Sequence, residues 1–322
     1  MTTVWSELIP ENIFRSVEDA LQVKLSNICL KRNSYINRVY ELEKEDGSER
    51  FIVKFYRPER WTAETILEEH RFLNDLAGND ISVIPALKIN GKTLFSCADI
   101  LFAVFPKKGG RTLDEFDKEG WITIGRILAR IHLVGEIHKT AKRIRWDPGN
   151  ASREHIAIIF QHEFILPDFK KSLMTVSDLF IKIAMPLFEG QELILLHGDC
   201  HKGNLIVRPG EGIFMVDFDD ACIGSPAQDL WMLLPDKLEN SKSELGWFLE
   251  GYEVFRKFDR RSLKLVPALR GMRLLHYAAW LAVQSNEPDF LNNFPEAGKP
   301  RYWNELIREL QGIVYEELSV SE

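Results

Sequence analysis

Cysteine is scarce in this chain. Four residues (Cys29, Cys97, Cys200 and Cys222) are scattered through 322 positions without framework spacing, which excludes a disulfide-stapled scaffold and predicts a reducing compartment. The amino terminus lacks both a basic n-region and an apolar h-region, so no secretory leader is expected and the cytoplasm is the expected location. Long apolar runs are missing too: no uncharged stretch approaches the ~20 residues of a membrane span. Positive charge is in deficit, with a formal net charge of −7. That disfavours a nucleic-acid binder, because phosphate contacts need a concentrated basic face. The one basic run, Lys139, Lys142, Arg143 and Arg145, reads as a solvated helix end. Internal repeats and low-complexity tracts are absent, which excludes solenoids and tails. What remains is a globular chain, 45% hydrophobic and 28% charged, long enough to bury a core and to divide into two domains.

The stretch with most chemistry in it runs from Leu196-His197-Gly198-Asp199 to Asn204, followed by Ile213-Phe214-Met215-Val216-Asp217-Phe218-Asp219. Leu193 to Leu196 reads as a buried strand that delivers a polar loop, and the second apolar run reads as another short strand carrying Asp217 at its end. His-x-Asp with Asn five positions after the Asp is the catalytic-loop spacing of phosphoryl transfer, in which the Asp accepts the proton of an attacking hydroxyl. An Asn and a second Asp hold magnesium on nucleotide phosphates in that chemistry, and here they are Asn204 and Asp217. Asp199 and Asn204 also suit a plain turn, where such side chains bond their own backbone. A zinc site at His197, Cys200 and His201 is disfavoured, since no second Cys/His pair stands at zinc spacing.

Pro10 opens a helix to about Leu21. Arg38–Glu43 and Arg50–Tyr56 form a hairpin around Glu45-Asp46-Gly47-Ser48, with Ile52, Lys54 and Tyr56 on one face of the second strand and Phe51, Val53 and Phe55 on the other. Lys54 is thus mid-strand, either a solvent-side charge or the strand lysine that meets ATP phosphates and a helix glutamate. A helix at about 62–76 supplies Glu68 and Glu69, of which Glu69 lies beside the buried stripe and is the expected partner. Lys31 to Arg38 occupies the place of a phosphate-covering loop but has no glycine; Ser34 and the asparagines are its polar groups. Strands are expected at 87–90 and 92–96 around Asn90-Gly91, then at Ile100–Phe105. The Pro/Gly segment 106–111 is the expected hinge, with Phe105 at its edge as a nucleotide contact. Helices fill the rest, and Trp231 and Trp280 read as core.

Asn33-Ser34-Tyr35, Val53-Lys54-Phe55-Tyr56-Arg57-Pro58-Glu59-Arg60-Trp61, the catalytic loop and Gly224-Ser225-Pro226-Ala227-Gln228-Asp229-Leu230-Trp231 together resemble the aminoglycoside phosphotransferase and choline kinase superfamily. Within it the chain is most similar to the stress response kinase A family of the YihE type. The resemblance implies an α+β, bilobal, protein-kinase-like fold: a strand-rich amino-terminal lobe (1–105), a hinge (106–111) and a mainly helical carboxy-terminal lobe (112–322). It implies Asp199 as proton acceptor, Asn204 and Asp217 as magnesium ligands, Ser34 at ATP, Asp229 as an anchor of the catalytic loop, and a monomeric cytoplasmic serine/threonine protein kinase linked to stress. The alternatives are a kinase of a small aminoglycoside-, choline- or homoserine-like hydroxyl and, from another class, a nucleotide-binding pseudokinase. Gly198 stands where protein kinases have Arg, Asp219 where they have Gly, and only Phe218 to Ser225 separate Asp217 from Pro226. That leaves no room for a phosphorylated switch loop and predicts constitutive competence.

Overall fold

The computed structural model describes residues 5–112, 115–140 and 142–319. Five strands, β1 (Leu25–Arg32), β2 (Arg38–Lys44), β3 (Arg50–Phe55), β4 (Phe95–Cys97) and β5 (Ile100–Pro106), form an antiparallel sheet in the order β1-β2-β3-β5-β4. The period of two in β3 buries Phe51, Val53 and Phe55 on one face, as the alternation requires. Helix α1 (Pro10–Leu21) starts at a proline in its first turn and buries Ile13 and Val17 in the same cluster as Leu42, Phe51, Val53, Phe102 and Val104. Helix α2 (Ala63–Gly78) is capped by Thr62, whose hydroxyl accepts the Thr65 amide at 3.3 Å, and it buries Ile66, Phe72, Leu73 and Leu76.

The chain continues through α3 (Lys118–Ile137), α4 (Arg153–Gln161), α5 (Pro167–Ala184), β6 (Ile194–Leu196), β7 (Leu205–Arg208), β8 (Gly212–Met215) and β9 (Cys222–Gly224). It ends in α6 (Ala227–Trp231), α7 (Lys242–Tyr252), α8 (Val266–Gln284), α9 (Phe290–Asn293) and α10 (Pro300–Gly312). Among the described residues no helix is long and apolar enough to cross a membrane.

Two compact units result, both discontinuous in sequence. The first comprises Met1–Arg143, Asp199–Ala221 and Pro235–Lys257. It therefore holds the sheet together with segments that the division at 106–111 assigns to the helical half. The physical reason is visible in the pairings: the β7–β8 hairpin is stitched to Arg111 through Val207 and to Val83 through Met215, while α7 returns to pack on α3. The second unit comprises Ile144–Gly198, Cys222–Leu234 and Phe258–Glu322. It contains the β6–β9 ribbon and a helical core in which Phe180, Leu269, Met272, Leu275, Trp303 and Leu310 are buried.

Three local expectations are corrected. Leu25–Arg32 is a strand that the sequence pattern does not announce, because an edge strand carries polar side chains and little alternation. Asn90 and Gly91 do make a left-handed turn, at φ 49° and 82°, but only Ile89 and Lys92 pair across it. The flanking segments bond to β5 instead: Leu87 N donates to Val104 O at 2.7 Å, and Phe95–Cys97 pairs with Ile100–Phe102. Trp231 and Trp280 are half-buried rather than core. Trp231 donates its indole N–H to Gln228 at 3.1 Å, and Trp280 stacks on the exposed Tyr277 at 5.6 Å between ring centroids.

Helices α3 and α7 approach backbone to backbone because each contributes a glycine. A Cβ on Gly125 would stand 2.1 Å from Phe248 O, and one on Gly251 would stand 2.0 Å from Ile122 O. Overpacking of this kind costs about 1–3 kcal/mol, so Gly125→Ala and Gly251→Ala are expected to lower the denaturant midpoint by that free energy. Gly246, in α7 with open space around its Cβ position, is the control: Gly246→Ala is expected to raise stability by about 0.5–1 kcal/mol. Equal effects at the three positions in equilibrium urea unfolding would contradict the close approach.

Candidate active site

In the second unit the chain leaves β6 through His197 and Gly198, and both amides are held by one carboxylate. Asp229 Oδ2 accepts His197 N at 3.0 Å and Oδ1 accepts Gly198 N at 2.9 Å. Asp229 is fully buried, so this is the anchoring role that the family resemblance implies. Gln228 completes the clamp by donating to Gly198 O at 3.0 Å. Gly198 has φ 84°, the left-handed region that glycine enters without penalty.

The first unit holds the loop itself. Asn204 Nδ2 donates to Asp199 O at 2.9 Å, which commits the amide nitrogen to backbone, so that the oxygen is the atom suited to a cation. His201 Nδ1 accepts from Gly203 N at 3.0 Å, so the neutral ring carries its proton on Nε2, which faces Asp199 Oδ2 at 3.5 Å. The β7–β8 hairpin brings Asn204 and Asp217 to the same end. Leu205 pairs with Met215, and Val216 N donates to Asn204 O at 3.0 Å immediately before Asp217. Asp217 sits at φ 63°, a conformation that costs a non-glycine residue energy and that gathers at functional sites. Its side chain is 54% exposed, and next to it Phe218 is buried edge-on against Phe72 of α2, at 5.8 Å.

Lys54 meets this loop. Its ammonium lies 2.5 Å from Asp219 Oδ1 and 3.2 Å from Asp217 Oδ1. Burial pulls the ammonium down, but Asp217 and Asp219 together outweigh it and hold Lys54 well above its ordinary value. Burial likewise opposes charge on Asp219, and Lys54 and Arg60 overcome it, holding this carboxyl well below the usual range. Asp219 Oδ2 accepts from Asn37 at 2.5 Å, and Arg60 reaches Asp219 at 3.4 Å and Asp220 at 2.6 Å. Asp220 is raised, first by burial, against the pull of Arg60.

The expected Lys54–Glu69 pairing gives way to this arrangement. The short contacts of Lys54 go to the aspartates because Asp217 and Asp219 of the 217–220 turn both reach its ammonium, and Glu69 stands 3.7 Å from Arg143 instead. Burial first, then the charge of Asp219, push Glu69 up to about 8. Glu68 accepts from Thr140 and lies 3.8 Å from Arg71. Arg143 also corrects the reading of the basic run as solvated. It is buried and donates to Asp219 O at 2.7 Å and Thr65 O at 3.0 Å, whereas Arg145 pairs at 2.7 Å with Asp147. Sequence reasoning thus missed Asn37, Arg60, Arg143 and the central place of Asp219. Arg60 lies in a string that carries the family resemblance; the sequence places Asn37 only among the loop's polar groups and Arg143 only in the basic run, neither as a partner of Asp219.

Ser34 is half-buried in the loop between β1 and β2, three residues before Asn37. Phe105 ends the exposed part of the Lys54 face of the sheet. The register puts Leu30, Val39, Glu41, Ile52, Ala103 and Phe105 on that face, and Leu30, Val39, Ile52 and Phe105 are not fully buried. The face is therefore an open apolar surface bordered by charge. Segment 106–111 is tied to β7, with Arg111 N to Val207 O at 3.1 Å.

Among the described residues no three His, Cys, Asp or Glu side chains converge as a metal-ligating group. Magnesium takes one or two carboxylates and fills its remaining positions with water and substrate phosphate. Asp217 and the Asn204 oxygen fit a metal that arrives with a nucleotide. It would neutralise charge on the transferred phosphoryl group.

A bilobal-kinase sheet, a His-x-Asp loop and an Asp-bearing hairpin end define a phosphotransferase, and residues 30–266 match the phosphotransferase enzyme family. The chain belongs to that family and, within it, to the stress response kinase A family. It is 38% identical over 276 residues to stress response kinase A of Escherichia coli strain K12, covering 84% of this chain and 82% of the relative. It is 37% identical over the same length to serine/threonine protein kinase RdoA of Salmonella typhimurium, with the same coverage. Solved structures share the fold at low identity. An amicoumacin kinase in complex with AMP-PNP has a TM-score of 0.75 at 20% identity, covering 97% of this chain and 95% of its own. Choline kinase LicA from Streptococcus pneumoniae has a TM-score of 0.63 at 16% identity, covering 94% and 99%.

Two expectations follow from the geometry. Asp229→Ala leaves two buried amides unsatisfied at about 1–3 kcal/mol each, so urea unfolding is expected to show a loss of about 2–6 kcal/mol; an unchanged midpoint would remove Asp229 as anchor. The second concerns Glu41, which is fully buried beside Arg32, Arg50 and Lys107. Burial opposes its charge, yet the three cations lower its pKa from 4.5 to about 2. A depressed folded-state value means stability that is complete above the ordinary value and lost as pH falls through the folded one. Thermal midpoints are therefore expected to drop between about pH 4.5 and pH 2, and Glu41→Gln to flatten that part of the profile. A variant with the same acid slope as the unaltered protein would assign the slope elsewhere.

Proposed function

We propose that this chain transfers the γ-phosphoryl group of ATP, with magnesium, to a serine or threonine hydroxyl of a protein substrate. The observation that carries the reading is the assembly of Asp217, Asn204 and Asp199 at one loop cluster with Lys54 set against it. Asp199 accepts the hydroxyl proton as the oxygen bonds to phosphorus and the bond to the departing ADP breaks. Lys54 steadies the phosphates. Ser34 and its loop cover them, and the partly exposed apolar face from Leu30 to Phe105 takes the base beside a hinge at 106–111. The lobes in this reading are 1–105 and 112–322, and the protein works as a cytoplasmic monomer. Relatives called serine/threonine protein kinase and stress response kinase support the acceptor class.

The test uses purified protein, labelled ATP, a basic acceptor protein and a panel of small hydroxyl metabolites. Label on serine or threonine is expected, and Asp199→Ala is expected to lower the rate by about 10²–10⁴-fold with ATP binding nearly intact. Asp217→Ala is expected to lose magnesium-dependent nucleotide binding as well. Activity of Asp199→Ala above a tenth of the original would refute the base, and rapid label on one metabolite with none on protein would make this a small-molecule kinase.

A further inference from the structure

Asp219 stands where protein kinases carry a glycine, and its two oxygens are divided between two tasks. Oδ1 holds Lys54 at 2.5 Å; Oδ2 takes the Asn37 amide at 2.5 Å and the Arg60 guanidinium at 3.4 Å. Asn37 in turn accepts Arg57 N at 3.1 Å and closes the loop that carries Ser34. The carboxylate of Asp219 is 5% exposed against 54% for Asp217, so one aspartate is fixed and the other faces solvent. Glu69, the helix carboxylate in the usual position to orient a strand lysine, is engaged at Arg143.

Resting on the phosphotransferase reading above, we propose that Asp219 is the positioning residue of the nucleotide site: it takes the shorter, buried contact of Lys54, at 2.5 Å against 3.2 Å to Asp217, and ties the Ser34 loop to the same point. Lys54 has two acidic neighbours, and the shorter contact is the buried one. Without Asp219 the ammonium has Asp217 as its remaining close carboxylate, and a metal ion must then compete with it for that ligand. The loop loses its anchor at the same time, since Asn37 has Asp219 Oδ2 as the acceptor for its amide. Asp219 touches neither phosphate nor acceptor in this scheme; it acts through Lys54 and Asn37.

The test is nucleotide binding, which needs no acceptor. Calorimetric titration with ATP at fixed and at limiting magnesium is compared for the unaltered chain, Asp219→Asn, Lys54→Met and the double variant. Asp219→Asn is expected to weaken ATP binding about tenfold and to raise the half-saturating magnesium concentration by a similar factor. In the double variant the loss is expected to be clearly smaller than the sum of the two single losses, because residues that act through one another are non-additive. A carboxylate that only supports the fold would give additive losses. Additive losses, or an Asp219→Asn protein that binds ATP and magnesium like the original, overturn the proposal. If Asp219→Asn does not fold, Asp219→Glu, which keeps the charge and displaces it, goes through the same cycle with the same two outcomes. Absence of ATP binding by the unaltered chain overturns the functional reading and this one together, whereas binding with additive losses overturns this one alone.

Discussion

The ion pair between Lys54 and Asp219 is the interaction on which the rest of the site depends. Taking both charges out of water is costly, and their mutual attraction offsets that cost only when the remaining hydrogen-bonding positions are also filled. Here they are filled, by Asn37 and Arg60 on the carboxylate and by Asp217 on the ammonium. Each partner brings its own segment: the loop before β2, the turn before α2 and the end of β8. A single buried carboxylate thereby joins pieces of chain up to 182 residues apart.

Around that point the chain separates rigid groups from working ones. Asp229 and Gln228 hold the backbone of His197 and Gly198 in the second unit, and no side chain of the reaction is used for that purpose. In the first unit the hairpin register sets Asn204 against Val216, so the two candidate metal ligands are neighbours through backbone pairing. The left-handed backbone at Asp217 costs energy that the surrounding packing, notably buried Phe218 on Phe72, must offset. Exposure differs accordingly: the carboxylate of Asp217, the candidate metal ligand, is open to solvent, while that of Asp219 is buried against the lysine.

Charge crowding gives the site its second property. Burial raises Asp220 and the charges of Asp199, Asp219 and Asp217 add to it, and those of Asp219 and Asp217 do so for Glu69, while Arg60 opposes the first and Lys54 and Arg143 the second. Burial first, then the charge of Asp219, push Glu69 up against the pull of Lys54 and Arg143. The buried imidazole of His70, lowered to about 4 by desolvation, stays neutral between Tyr56 and Thr93 and fixes α2 to the sheet without adding charge.

What the sequence by itself determined is whatever depends on neighbours along the chain. Alternation in β3 placed Lys54 opposite the buried face, the proline and the Thr62 cap set the starts of α1 and α2, and the spacing from Asp199 to Asn204 identified a phosphoryl-transfer loop. These signals are local because strand period, capping and loop spacing are properties of a few consecutive residues. Family resemblance extended them to Asp229, whose carboxylate holds the His197 and Gly198 amides. Only the tertiary structure decided which acid Lys54 meets, that Arg143 is buried rather than solvated, and that the segments flanking Asn90-Gly91 pair with β5 rather than with each other. Each of these outcomes is a competition between partners far apart in sequence. The buried environment decides such competitions, because an unpaired charge or amide there costs more than any local preference can return.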